Sequence, residues 1–179
     1  MHTSQGQPSS AIAGTDTAVA VAKPGNASSS GGPLSPVPVV SPRTEFVYEA
    51  IFDLGPTEML GQGPLGERRI VPILGGRFEG PRIRGTVLPG GADRQLVRPD
   101  GARLLDALYE LRADDGAVIT VHNRVLLDTR PDGSPYGFSH INITAPDGPH
   151  GWLNHLVFVG TLHSMRPEPR VLVRVFHLT

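Results

Sequence analysis

Four turn signals of one kind recur through the second half of the chain: Pro99-Asp100-Gly101, Asp114-Asp115-Gly116, Pro131-Asp132-Gly133 and Pro146-Asp147-Gly148. An aspartate bonds the backbone two residues on and a following glycine accepts the conformation of a tight reversal, so each triplet predicts a point where the chain doubles back. Between them the side chains alternate. Ala117, Ile119, Val121, Asn123, Val125 and Leu127 fall on one face, and Thr120, His122 and Arg124 on the other, which is the period of a strand. Further strands are predicted at Phe46–Leu54, Arg68–Phe78, Arg82–Leu88, Arg94–Arg98, Arg103–Ala113, Gly137–Thr144, Leu156–Ser164 and Arg170–Leu178. Leu104, Leu105, Leu108 and Leu111 also fit helical spacing, but Asp114-Asp115-Gly116 and the strand after it favour a β-hairpin there. About nine short strands close most readily into a barrel or sandwich. The fold class expected is all-β: an antiparallel, closed or nearly closed barrel of about nine strands.

Composition changes near Arg43. The first 42 residues contain no Phe, Tyr or Trp, and only Asp16 and Lys23 are charged. Such a segment buries too little apolar surface to offset its ordering entropy. Residues 1–43 are therefore expected to be a disordered Ser/Gly/Pro/Ala-rich tail, with the barrel domain at 44–179.

The 179 residues carry 16 basic and 17 acidic side chains, a net charge of −1. No summed field draws the chain to nucleic acid or an anionic surface. There is no cysteine, which excludes disulfides, thiolate metal sites and a cysteine nucleophile. No membrane span or signal peptide is legible, and a cytoplasmic location is expected. The seven histidines form neither HExxH nor a two-histidine, one-carboxylate spacing. His155 and His163, read as one strand, would stand about 26 Å apart. No metal and no cofactor are expected. Gly75-Gly76-Arg77-Phe78-Glu79-Gly80 lacks Gly-Lys-Ser/Thr and opens no helix, so it is no phosphate loop.

Three blocks, RRIVPILGGRFEGPRIRGTVLPGGADRQLVRPDG, YELRADDGAVITVHNR and WLNHLVFVGTLHSM, in that order and spacing, resemble the family of small β-barrel proteins catalogued as domain of unknown function 3237. The resemblance covers most of the chain after Phe46, and departs from the usual pattern in the short, histidine-bearing stretch Gly133–Gly151. It implies an antiparallel barrel with a lumen open at one end, often paired into dimers. It also implies a lead on activity, because some relatives resemble cyclising enzymes that add a hydroxyl across an alkene.

Within the matching blocks the resemblance singles out Arg82, Asp93, Gln95, Asn123, Trp152 and Asn154. Asp93 follows Pro89-Gly90-Gly91-Ala92, so its carboxylate either caps the turn's own N–H groups or points into the barrel mouth as a general base. Gln95 shares its face and would hold a substrate carbonyl or orient the carboxylate. Arg82 and Arg84 would neutralise an enolate or phenolate, or else sit solvated outside. Asn123 is the odd polar residue on an apolar face, a lumen contact if that face points inward; if the other face does, His122 takes its place. Trp152, the single tryptophan, plugs a barrel end or forms a ligand platform. Tyr109, Tyr136 and His122 are candidate proton donors and acceptors beside Asp93.

Two functions from different classes follow. One is a cofactor-free acid/base enzyme, a cyclase or isomerase, working on a small oxygenated, natural-product-like substrate through Asp93, His122 and Tyr109, with Arg82, Gln95, Asn123, Trp152 and Asn154 holding the substrate. The other is a noncatalytic carrier or sensor of the same kind of ligand. A homodimer pairing through the apolar strand Val171–Phe176 is a third, purely structural role.

Overall fold

The computed structural model describes residues 36–179; the tail expected at residues 1–43 falls largely outside them. Ten antiparallel strands follow: β1 Thr44–Leu54, β2 Glu58–Gly63, β3 Gly66–Glu79, β4 Arg84–Val87, β5 Ala92–Val97, β6 Arg103–Ala113, β7 Val118–Thr129, β8 Pro135–Thr144, β9 Phe158–Ser164 and β10 Arg170–Leu178. A 3₁₀ turn, Gly151–His155, separates β8 from β9.

The sheet runs β1-β10-β9-β8-β7-β6 and returns through β4 and β3, and β1 pairs β3 to close it. β4 and β5 occupy successive lengths of one position between β3 and β6, and β2 continues beyond β1 along the edge of β3. The barrel therefore has eight positions around its wall, filled by ten strands. β2 is the strand that the sequence pattern did not reveal: Glu58–Gly63 carries two glycines and its residues are almost all exposed, so no alternation marks it. The segment whose leucines also fit a helix is β6, with Leu105 and Leu111 buried inside and Leu104 and Leu108 exposed outside.

Three of the four Asp-Gly turns act as read. Asp100, Asp115 and Asp132 accept the N–H of Ala102, Ala117 and Ser134, at 3.2, 3.1 and 2.9 Å, and so fold the β5–β6, β6–β7 and β7–β8 hairpins. The fourth, Pro146-Asp147-Gly148, leads into the 3₁₀ turn, whose Leu153 is buried in the core. This turn caps one end of the barrel. Closure at β1 and β3 depends on Gly76, where φ is 146° and a Cβ would fall 2.1 Å from the Ile51 carbonyl oxygen. Gly75 and Gly76 thus lie within a strand, Gly76 at a close backbone approach, and do not form a turn.

The inward side chains of Tyr48, Phe158 and Val175 fill the capped half, and those of Phe52 and Tyr109 separate it from the open half, each contributing about 1.5–3 kcal/mol by burial. Phe52 meets Tyr109 edge to face at 4.8 Å between ring centres. β10 is paired along both sides, to β1 and β9. That corrects the expectation that Val171–Phe176 pairs with a second copy, because it has no free edge to offer. Among the described residues no helix is long and apolar enough to cross a membrane.

Candidate functional site

The half of the barrel away from the 3₁₀ cap is hollow. A cavity of about 520 Å³ opens there, within the range of small-molecule sites. Strand pairing arranges its wall in transverse rows. Asp93 on β5 stands opposite Ala107 on β6, which stands opposite Asn123 on β7. One row nearer the mouth come Arg69, Gln95, Leu105 and Val125. One row deeper, Tyr109 lies beneath Gly91, where a Cβ would come within 2.7 Å of the tyrosine Cβ. Glycine at that position is what lets the tyrosine sit under the loop.

Asp93 is held from two directions. The Gln95 side-chain amide donates to Oδ2 at 2.7 Å, and the Asp106 backbone N–H donates to Oδ1 at 3.1 Å. Burial nonetheless dominates and pushes its carboxyl up to about 6, with the Gln95 and Asp106 bonds and the Arg103 charge pulling the other way. The carboxylate therefore caps no N–H of its own glycine loop. Its bonds reach one residue on its own strand and one on the neighbouring strand, which fixes it facing the lumen.

Below it, Tyr48 and Tyr109 are fully buried, and burial raises both phenols above their ordinary range. Tyr48 Oη, Tyr109 Oη and Asn123 Oδ1 have no partner in hydrogen-bond geometry, although Tyr48 and Asn123 lie near enough to affect the titration of Tyr109. Of these, Tyr109 and Asn123 line the cavity, and their unpaired polar atoms are what a bound polar ligand would satisfy.

Six of the residues singled out from sequence line this cavity or its floor: Asp93, Gln95, Asn123 and Tyr109 among the predicted site residues, and Val125 and Leu127 from the alternating face. Four predicted site residues do not. The parity of β7 turns Asn123 inward and His122 outward, so the expected pairing of His122 with Asp93 in the lumen is corrected. His122 Nε2 instead meets Asp106 Oδ1 at 2.6 Å on the outer face. Arg82 stacks over the Trp152 ring at 4.0 Å, at the capped end. Asn154 accepts the Ala145 N–H at 2.8 Å and donates to the Ala145 carbonyl at 2.9 Å. Arg82, Trp152 and Asn154 thus close the far end of the barrel and touch no part of the cavity, because the block that bears Trp152 and Asn154 is the 3₁₀ cap. Sequence reasoning overlooked Arg103, which shares the parity of Leu105, Ala107 and Tyr109 and so faces inward. Among the described residues no three His, Cys, Asp or Glu side chains gather as metal ligands do.

Comparison with known proteins agrees with this architecture. The family model described as Protein of unknown function (DUF3237) matches residues 42–178. The chain belongs to that family. A UPF0311 protein of Clostridium acetobutylicum is 43% identical over 84 residues, 44% of this chain and 53% of that protein. The chain spans about half the length of the curated UPF0311 relatives it matches, 52% for that of Rhodopseudomonas palustris. A protein of Penicillium herquei named as a hydroalkoxylation enzyme is 28% identical over 120 residues, 67% of this chain and 74% of that protein. Among solved structures, a β-barrel-like protein of Acinetobacter baumannii superposes with a TM-score of 0.74 at 28% identity, covering 80% of this chain and 99% of that one. The cavity of this DUF3237 member lies inside the matched region.

Proposed function

We propose that the barrel is an acid/base enzyme of cyclase or isomerase type that closes a cyclic ether by adding a substrate hydroxyl across an alkene of the same molecule. One observation carries this reading: a largely buried carboxyl, not fully shielded, with its pKa raised to about 6, aimed into a cavity of about 520 Å³. A base with a pKa near the working pH combines the ionised state with a useful affinity for the proton. Asp93 takes the hydroxyl proton, and the oxygen forms a C–O bond to one alkene carbon. The π electrons pass to the other carbon, which takes the proton back from the carboxylic acid. No atom is gained or lost. Asn123 and the neutral Tyr109 phenol supply hydrogen bonds to the substrate oxygen. The hydroalkoxylation enzyme among its relatives supports the reaction class.

A noncatalytic carrier is the second reading, favoured by one observation: His122 is outside, so no histidine pairs with Asp93 in the lumen. Both readings make the ligand a small molecule with an apolar body. The test is conversion of 2-allylphenol and 2-prenylphenol, followed by mass and NMR. A cyclic ether of unchanged mass, lost in Asp93→Asn, supports the enzyme. Binding without conversion, or conversion equal in Asp93→Asn, overturns it.

A further inference from the structure

The mouth of the cavity differs in charge from its walls. Arg69, Arg103, Arg166 and Arg170 all border it, against Asp93 and Glu168 as the acidic lining residues. Two of these arginines are already neutralised. Arg69 pairs with Glu67, and Arg170 pairs with Asp53 at 2.6 Å and Glu168 at 2.9 Å. Arg103 and Arg166 make no ion pair or side-chain hydrogen bond among the described residues, so the rim holds two guanidinium groups without a direct partner, although the Arg103 charge is felt at Asp93.

Their placement relative to Asp93 is set by the strands. Arg103, Leu105 and Ala107 face inward in succession along β6, and Ala107 is the residue opposite Asp93. Four residues of strand separate the levels of Arg103 and Asp93, about 13 Å at roughly 3.3 Å per residue. One side of the wall between them is apolar, lined by Leu105, Val125, Leu127, Leu162 and Val171, while Arg69 and Gln95 share the row of Leu105 on the other side. A guanidinium presents a planar fork that matches a carboxylate in two parallel hydrogen bonds. A cavity with that fork at its mouth, hydrocarbon along one side and the Asp93 carboxyl below selects a ligand with one anionic end.

We propose that the substrate is an amphipathic carboxylate, its carboxylate held by Arg103 and Arg166 at the mouth, its apolar body against Leu105, Val125 and Leu162, and its reacting end beside Asp93. This rests on the acid/base reading for the reacting end, and on the rim arginines for the anion. The same rim draws anionic ligands in from solution, an effect that salt weakens.

The test is calorimetric titration of the full chain at pH 7.5 with 4-butylbenzoate and its methyl ester, which share a body and differ in charge. The carboxylate is expected to bind about ten-fold tighter than the ester, and the preference to shrink between about 50 mM and about 500 mM salt. Arg103→Gln and, separately, Arg166→Gln should each cut the preference to within about three-fold, with thermal melts showing both folded. Asp93→Asn should keep it. An ester that binds as tightly, no binding of the carboxylate at millimolar concentration, or an unchanged preference in both arginine variants overturns the proposal. If the preference is absent while Asp93→Asn still abolishes ether formation, the anionic class alone fails. If the preference stands while Asp93→Asn turns over normally, the acid/base reading alone fails.

Discussion

Asp93 and Asn123 lie in one transverse row of the barrel wall with only the Ala107 methyl between them. The smallness of that intervening residue leaves the cavity open at the level of the carboxyl. Ala107→Leu should fill the space by about three carbon atoms. Ligand affinity and turnover should fall at least about ten-fold, while stability shifts by no more than about 1–3 kcal/mol, the range of an overpacked site with room beside it. Parallel titrations and denaturant melts of the variant check this. Unchanged affinity would place the ligand elsewhere.

The raised pKa of Asp93 has a stability consequence of definite sign. Its protonated form is favoured in the folded state, so the folded protein gains stability below the ordinary value of 3.8 and loses it as pH rises through about 6. Asp93→Asn should be more stable than the wild type at pH 7, by up to about 2–3 kcal/mol. The variant's stability should also be flatter between pH 4 and 6. Urea unfolding across that window measures both. An Asp93→Asn protein that is less stable at pH 7 would mean that the carboxylate is a structural acceptor for Asp106 and Gln95.

Gln95 moderates the same group. Its amide donates to the ionised carboxylate at 2.7 Å and so opposes the burial that raises the pKa. Gln95→Leu keeps the bulk and removes the donor, and should move the acidic limb of the rate–pH profile upward from about 6. At pH 6 the variant should lose activity, and at pH 8 it should recover most of it. A profile that does not move would show that the amide serves the substrate alone.

Much of the barrel was legible because two physical signals were strong. Asx-type turns at Asp100, Asp115 and Asp132 fixed three hairpins, and alternation in Arg103–Leu127 fixed which residues share a face. Asp93 and Gln95 were legible as a pair through their two-residue spacing. What parity cannot give is the sign of the face, so Asn123 and His122 stayed exchangeable until the β6–β7 register set them against Ala107 and Leu108. Position along the barrel axis was also hidden. Trp152 and Asn154 sit in a block of the same family pattern as Asp93, but a 3₁₀ turn carries them to the opposite end. The arginines of the rim, Arg103 and Arg166, are far apart in sequence and border one cavity only because β6 and the β9–β10 connection both reach it.

Asn154 gives the clearest separation of structure from function. Its side chain makes both backbone hydrogen bonds of Ala145, accepting at 2.8 Å and donating at 2.9 Å, and Ala145 is 8% exposed. Asn154→Ala leaves a buried N–H and a buried carbonyl unpaired, which costs about 2–3 kcal/mol. The melting temperature should fall by roughly 6–12 °C for a domain of this size. Because the cap lies at the end of the barrel away from Asp93, the pH midpoint near 6 and the ligand affinity below the melting transition should not change. Thermal melts, with titrations at low temperature, check the two halves separately. A loss of affinity in a variant that is still fully folded would return Asn154 to the substrate site.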